Sequence, residues 1–454
     1  MNSLPATNVD DAYSQCDPGY ALPANDVRYV DLSKVRGEHG KIIDTIERSI
    51  RRSNSNTCTY LISGHRGSGK TTELFRLQKK LKDNGYFCVY FDVGEALDLA
   101  DISYIDIFLA MIDEVSKALQ EQHINITIDK GIIDDIYGWL HQEAYTETYV
   151  QKDVNGEAKA GFDANIGIPT LIKLFGGITG DIKHSESQRN VVRENIEKKA
   201  SDFISKINLF LIAVRNAVQQ QQYKDIIVVA DGLEKIQYRT FTLNDSKSDS
   251  HTELFVRHAE QLLALHCHVI YTVPIGLAFN INLQNDYEHV YIMPMVKLDH
   301  AGNQALRMLI EKRVDIASVF TEDALVDELI ANSGGVVRDL MRLIRLACDT
   351  DDEKISANEV KHAISKLTKE YDRLLKRSDI PILELVHRTE MINPDNERSA
   401  QLLHNRIILE YENGKRSAKL HPTCLKIEWV MNEMHKLNQA NLADNENPDN
   451  NNGS

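Results

Sequence analysis

Several features that mark large classes of protein are missing from this sequence. Nowhere in its 454 residues do 18 apolar residues run together, so there is no candidate for a membrane-spanning helix. The amino terminus, Met1-Asn2-Ser3-Leu4-Pro5, has no basic start followed by an apolar core, and a secretory leader is not expected. Cysteine is sparse. Cys16, Cys58, Cys88, Cys267, Cys348 and Cys424 lie far apart, in no C-x-x-C pair and at no ligand spacing from histidine. That pattern argues against a disulfide framework or zinc site and for reduced thiols in a cytoplasmic protein. Positive charge is in deficit, with 52 Lys and Arg against 67 Asp and Glu. The resulting net charge of −15 disfavours broad attraction to nucleic acid or anionic membrane, leaving only a local basic patch open.

What the chain does have is one organising stretch. The apolar strand Thr59-Tyr60-Leu61-Ile62-Ser63 runs into Gly64-His65-Arg66-Gly67-Ser68-Gly69-Lys70-Thr71-Thr72 and then into a helix, the G-x-x-x-x-G-K-T pattern of a phosphate-binding loop. Gly64, Gly67 and Gly69 allow a tight turn whose N–H groups, with those of His65, Arg66, Ser68 and Thr72, point inward. The following helix presents its positive end, Lys70 adds a charge for the β- and γ-phosphates, and the Thr71 hydroxyl is the expected Mg²⁺ ligand.

Before this stretch, residues 1–25 are polar and Pro/Asp-rich and read as a flexible lead-in; Arg36-Gly37-Glu38 opens a helix with Ile42, Ile43, Ile46 and Ile50 on one face. After it, Tyr86–Asp92 reads as a second strand. Residues 101–222 exceed what a simple crossover needs. Helices are expected at 102–120 and 132–143, and one long amphipathic helix at 186–222. The glycine-rich stretch 153–183 between them reads as a flexible insertion, either packed on its own protein or mobile and docking on a partner or membrane surface.

The third strand, Ile226–Ala230, ends in Asp231-Gly232-Leu233-Glu234. A carboxylate at the end of a buried strand is costly to keep charged without a cation opposite, so Asp231 is the second expected Mg²⁺ ligand, the alternative being a plain strand-ending turn residue. Glu234 is placed to orient or deprotonate an attacking water, or is a solvated loop acid beside Lys235. A fourth strand, His268–Val273, carries Thr272 near its tip, either as a γ-phosphate sensor or as a core threonine; a helix at about 252–265 precedes it and a fifth strand, Val290–Met293, follows. Short apolar strands separated by helices predict an α/β fold with a parallel sheet covered on both faces.

Beyond Lys297 the pattern is helical, at about 303–316, 322–332, 335–348 and 357–377, with Ser356 and Glu359 forming a capping box. Arg338 stands in a first helical turn, where the dipole disfavours it, so a phosphate contact or a surface salt bridge is needed to explain it. From 379, two helices and a hairpin turning at Asn413-Gly414 suggest a winged helix at 379–436. Its Lys and Arg nearly balance its Asp and Glu, which favours protein contact over DNA. Residues 437–454 read as a disordered tail.

Together these motifs resemble the AAA+ ATPases of initiator (origin-recognition) type and their STAND signalling relatives, within the ASCE division of P-loop ATPases. The resemblance covers about 27–425. Arg36-Gly37-Glu38 is similar to the G-R-E element before the first helix, Asp231–Glu234 to the STAND form of Walker B, and Ser333–Leu340 to the sensor-2 region. It implies a three-layer P-loop NTPase with sheet order 5-1-4-3-2, a core at 26–297, a helical lid at 298–378, Arg36 at the nucleotide and Arg338 as the lid arginine. ATP and Mg²⁺ are the implied cofactors. The implied activity is slow ATP hydrolysis serving as a conformational switch in a homo-oligomer with a separate effector. The stretch Gly64–Leu74 also resembles bacterial stand-alone ATPases, some of them in anti-phage modules. An initiator-like DNA-binding ATPase and a nucleotide-bound scaffold without turnover are the alternatives. The acid at +3 from Asp231 and the insertion before it depart from AAA+ motors, and Arg313 and Arg239 are the candidate arginine fingers.

Overall fold

The computed structural model describes residues 4–53, 56–122, 124, 131, 135–136, 138–140, 168–243, 246–280, 283–350, 352–393, 397–412 and 416–446. Nine strands occur among them: β1 Thr59–Gly64, β2 Phe87–Asp92, β3 Ile226–Asp231, β4 Thr240–Leu243, β5 Ser246–Asp249, β6 His268–Val273, β7 His289–Met293, β8 Ile408–Glu412 and β9 Arg416–Leu420. Five form one parallel sheet in the order β2-β3-β6-β1-β7. These labels differ from the expected 5-1-4-3-2 because an unanticipated antiparallel hairpin, β4–β5, falls between the third and fourth sheet strands.

Parallel strands buried on both faces must be apolar on both, and alternate residues of β3 divide accordingly. Ile226, Val228 and Ala230 face one core and Ile227 and Val229 the other. Helices α2 (Ile42–Arg52) and α3 (Lys70–Asp83) cover the second face through Ile42, Ile46, Leu74, Leu77 and Leu81. The first face is covered by α4 (Tyr104–Glu121), α5 (Ile168–His184), α6 (Glu186–Glu197) and α7 (Ala200–Gln220).

Two expectations for this insertion are corrected. The glycine-rich stretch forms α5 from Ile168 onward and packs on α4, where a Cβ on Gly176 would stand 3.4 Å from Asp113 Oδ1; small residues let the two helices approach. Residues 153–167 and most of the expected 132–143 helix lie outside the described residues. The single long helix is instead two, broken at Lys198–Lys199, where Lys199 leaves helical geometry (φ −132, ψ 34). The helix expected at 252–265 is likewise divided, into Ser250–Thr252, a π-helical Glu253–Arg257 and Ala259–Leu263.

The C-terminal helices share one further core. These are α8 (His300–Glu311), α9 (Ala324–Asn332), α10 (Val337–Ala347), α11 (Ala357–Asp372), α12 (Ile380–Thr389), α13 (Glu397–His404) and α14 (Glu428–Glu446). The Ser356–Glu359 capping box is present, and α9, expected from about 322, starts at Ala324. The hairpin β8–β9 is formed, and its Asn413-Gly414 turn lies outside the described residues. Helix α14 continues to Glu446 where a tail from 437 was expected to be disordered.

The amino-terminal segment is also not loose. Helix α1 (Val9–Gln15), capped by Asn8, belongs to this C-terminal core through Ala6, Val9, Ala12 and Cys16. The backbone adds two bonds, Ala6 N–H to Arg313 O (2.8 Å) and Asp315 N–H to Ala6 O (2.8 Å). A short polar segment is held this way by four buried side chains acting together with backbone bonds, each offsetting part of the cost of ordering the chain.

Candidate functional site

The parallel arrangement sets the C-terminal ends of β1, β2, β3 and β6 along one edge, and β1 delivers the chain directly to the N-terminus of α3. The intervening loop turns through Gly67 (φ 84) and Gly69 (φ 98). At Gly67 a side chain is excluded twice over: the backbone is left-handed, and a Cβ would meet the Cβ of Arg338 at 2.5 Å. That close approach lets the Arg338 backbone N–H donate to the Gly67 carbonyl at 3.1 Å. Arg36, 3% exposed, donates to the Ser68 carbonyl and to the Pro294 carbonyl (2.7 Å), so it braces the loop from beneath while also lining the cavity.

The two halves of the expected site meet. Lys70 Nζ donates to the carbonyls of Gly64 (2.8 Å) and His65 (3.1 Å) and stands 3.5 Å from Glu234 Oε1. The Thr71 hydroxyl donates to Asp231 Oδ2 at 2.7 Å. The loop lysine, the strand-end aspartate and the glutamate three residues beyond it, all buried, therefore form one cluster with the half-buried helix-first-turn threonine. Burial pushes the Lys70 ammonium below its ordinary pKa, against the pull of Glu234 and Asp231. Asp231 is raised, by burial first and the Glu234 charge second. Burial also works to raise Glu234, but Lys70 and the Thr272 hydroxyl outweigh it and hold the acid down. Glu234 Oε2 is buried without a hydrogen-bond partner among the described residues.

Other expected site residues stand differently from how they were read. The Thr272 hydroxyl accepts the N–H groups of Gly232 (2.9 Å) and Leu233 (3.2 Å), so it holds the turn that carries Glu234 and does not line the cavity. The Thr72 hydroxyl accepts the Leu22 N–H at 3.2 Å. The His65 ring points away from the cavity toward the C-terminal hairpin, and Arg66, whose buried Nε has no hydrogen-bond partner among the described residues, is likewise absent from the cavity wall. Arg338 does line it. Of the arginine-finger candidates, Arg313 is buried in its own chain, donating to the carbonyls of Arg28 (3.1 Å) and Leu309 (2.8 Å), and so is not free to reach another subunit. Arg239 is exposed.

The cavity over the loop measures about 670 Å³. Part of its wall is the Lys70–Thr71–Glu234 cluster; another part is the amino-terminal segment, through residues 14, 15, 17–22, 28–30 and 32, with Leu309 and Met341. Sequence reasoning missed this wall, which no local pattern announces. It also missed Tyr90, whose hydroxyl donates to Asp231 Oδ2 at 2.9 Å. The one available signal was a polar-tipped residue two places before the end of the otherwise apolar strand Phe87–Asp92.

The donor set suits the implied metal: a hydroxyl and a carboxylate, hard oxygen ligands already in contact, at the N-terminus of a helix. Loop and topology together define an α/β chain of P-loop architecture. No protein-family model matches it, and no curated protein matches it by sequence. Among solved structures, the chain is similar to the ORC2 protein of Aeropyrum pernix, described in ADPNP–ADP complexes, at 13% identity over 94% of this chain and 98% of that one, with a TM-score of 0.40. A Walker-type ATPase of Pyrococcus abyssi is similar at 13% identity, over 89% and 99% of the two chains, again with a TM-score of 0.40. Likeness this distant adds no weight; the reading stands on the site itself. Among the described residues no helix is long and apolar enough to cross a membrane.

Proposed function

We propose that the chain binds ATP with Mg²⁺ and hydrolyses it slowly, as a nucleotide-dependent conformational switch of AAA+/STAND-like type. The observation that carries this is the meeting of Lys70 and Thr71 with Glu234 and Asp231 across more than 150 residues of chain. In this reading the loop N–H groups and Lys70 hold the phosphates, and Thr71 and Asp231 hold Mg²⁺, which when bound neutralises charge on the transferring phosphoryl group. Lys70 leaves the Gly64 and His65 carbonyls to do so. Glu234, freed from Lys70, orients the attacking water through the oxygen now without a partner. Thr272 holds the Gly232–Leu233 turn and thereby the aim of Glu234, and Arg338 meets the γ-phosphate from the first turn of α10. Residues 298–378 act as the lid and 379–436 as a winged-helix-like unit. Assembly into a homo-oligomer and action on a separate effector complete the proposal.

The test is Glu234→Gln. Turnover should fall about a hundredfold or more while ATP binding persists, as removal of a general base requires. Unchanged turnover would remove Glu234 from the mechanism.

A further inference from the structure

We infer that His65 is a positioning residue whose imidazole makes the C-terminal hairpin a structural part of the phosphate-binding loop, so that nucleotide binding and the seating of that hairpin are one linked equilibrium. The inference rests on the nucleotide-binding reading above.

The side chain of His65 is fully buried, and both ring nitrogens are engaged by chain more than 330 residues away. Nδ1 lies 3.1 Å from the Leu403 carbonyl near the end of α13, and Nε2 accepts the Glu410 backbone N–H at 2.8 Å. These two partners fix the neutral tautomer with the proton on Nδ1 and leave the ring one orientation. Burial, reinforced by Lys70, lowers the pKa to about 3, so the link is not a pH switch in the physiological range.

A two-stranded hairpin leaves the outer edges of its strands unpaired, and such an edge must find partners. The outer edge of β8 finds them here: the Glu410 N–H goes to His65, and the Glu410 carbonyl accepts the Met295 N–H at 3.2 Å. On the loop side, the carbonyl of the same His65 accepts Lys70 Nζ. One residue thus joins the phosphate-reading lysine through its backbone to the hairpin through its ring. Drawing Lys70 onto a phosphate loosens the His65 carbonyl and so alters the footing of the ring.

A second tie runs in parallel. Next to Arg338, buried Asp339 accepts the Tyr371 hydroxyl (2.6 Å) and Arg406 Nε (3.3 Å), with His421 Nε2 at 3.6 Å. The experiment must therefore separate the two routes.

It uses the full chain and follows amide hydrogen exchange over 402–420, with and without ATP, beside an ATP titration. Wild type should show ATP-dependent exchange there. His65→Phe removes both hydrogen bonds and should remove most of that dependence, the remainder belonging to the Asp339 route, while weakening ATP binding about tenfold, the cost of about one buried hydrogen-bond pair. His65→Asn can keep the Leu403 bond and His65→Gln the Glu410 bond, so each should restore part of the response; thermal midpoints without nucleotide show whether each variant is folded. Wild-type ATP dependence retained in His65→Phe, or no partial rescue by folded Asn and Gln variants, would overturn the inference. A wild-type chain that binds ATP with no change over 402–420 would overturn it too, whereas a chain that binds no ATP would overturn the nucleotide reading beneath it.

Discussion

Two parts of the cavity wall are built on different principles. At the phosphate loop, charged groups stand close together and satisfy one another: Lys70 against two carbonyls and Glu234, Thr71 and Tyr90 against Asp231. Along the other wall, the amino-terminal segment is held by apolar packing of Ala6, Val9 and Ala12 and by arginines that bond to backbone, stack on rings, such as Arg345 over Tyr13 at 4.0 Å, or make local ion pairs, Arg28 with Asp26 (2.6 Å) and Arg345 with Asp17 (3.1 Å). The first part is preorganised for charge and has little room for substitution. The second supplies shape, from residues far from the loop in sequence. The phosphate part should therefore decide whether nucleotide binds and reacts, and the amino-terminal wall how tightly it is held.

Mutation can break this contrast. Lys70→Ala removes the charge that faces the phosphates and should weaken ATP binding by about a hundredfold or more, measured by calorimetry. Binding at wild-type strength would mean the phosphates lie elsewhere. Ala12→Asp places a charge at a fully buried position of α1 and should release the wall. ATP and ADP should then both bind about tenfold more weakly, with turnover of bound ATP kept. A selective loss of ATP alone would show that the wall reads the γ-phosphate, which the contrast does not allow.

Acid should separate the two parts more gently. Burial, first among the causes, lowers His65 to about 3 and His404 to about 4, both beside the phosphate loop, whereas the arginines of the wall do not titrate. Unfolding frees these imidazoles to bind protons near the ordinary value of 6.5. The unfolded chain therefore holds more protons between those limits, and stability is complete above about pH 6.5 and falls as pH drops toward 4. Each imidazole contributes a slope of about 1.4 kcal/mol per pH unit in that window. Chemical denaturation at pH 7.5 and 5.5 checks this, with a shallower slope in His65→Gln; stability that rises on acidification would contradict it.

The same contrast explains what could be read in advance. Gly64–Thr72 is legible because phosphate binding needs its glycines, lysine and threonine at fixed local spacing, and Asp231 because a carboxylate ending the apolar run Ile226–Ala230 demands a cationic partner. The five sheet strands were legible as apolar runs, and their partition between two cores follows from alternation. What was not legible depends on contacts distant in sequence. The ring of His65 meets Glu410, and Leu22 meets Thr72, through bonds that no window of sequence contains. Thr272 was open between a phosphate sensor and a core threonine because it nears a strand tip; it is fully buried, and its hydroxyl turns to the backbone of the neighbouring strand's turn. Glycines suggested a loop where Gly176 instead admits a neighbouring helix, and the amphipathic pattern across 186–222 concealed the break at Lys199 because both halves bury side chains in the same core.

The central claim is that a lysine-bearing loop and a strand-end aspartate hold one triphosphate together. Its most direct measurement is a calorimetric titration of the wild-type chain with ATP, once in Mg²⁺ and once in EDTA. The account predicts one ATP per chain, bound about tenfold more tightly when Mg²⁺ is present, since Asp231 and Thr71 then contribute. Equal affinity in the two buffers, or no binding in either, would contradict it.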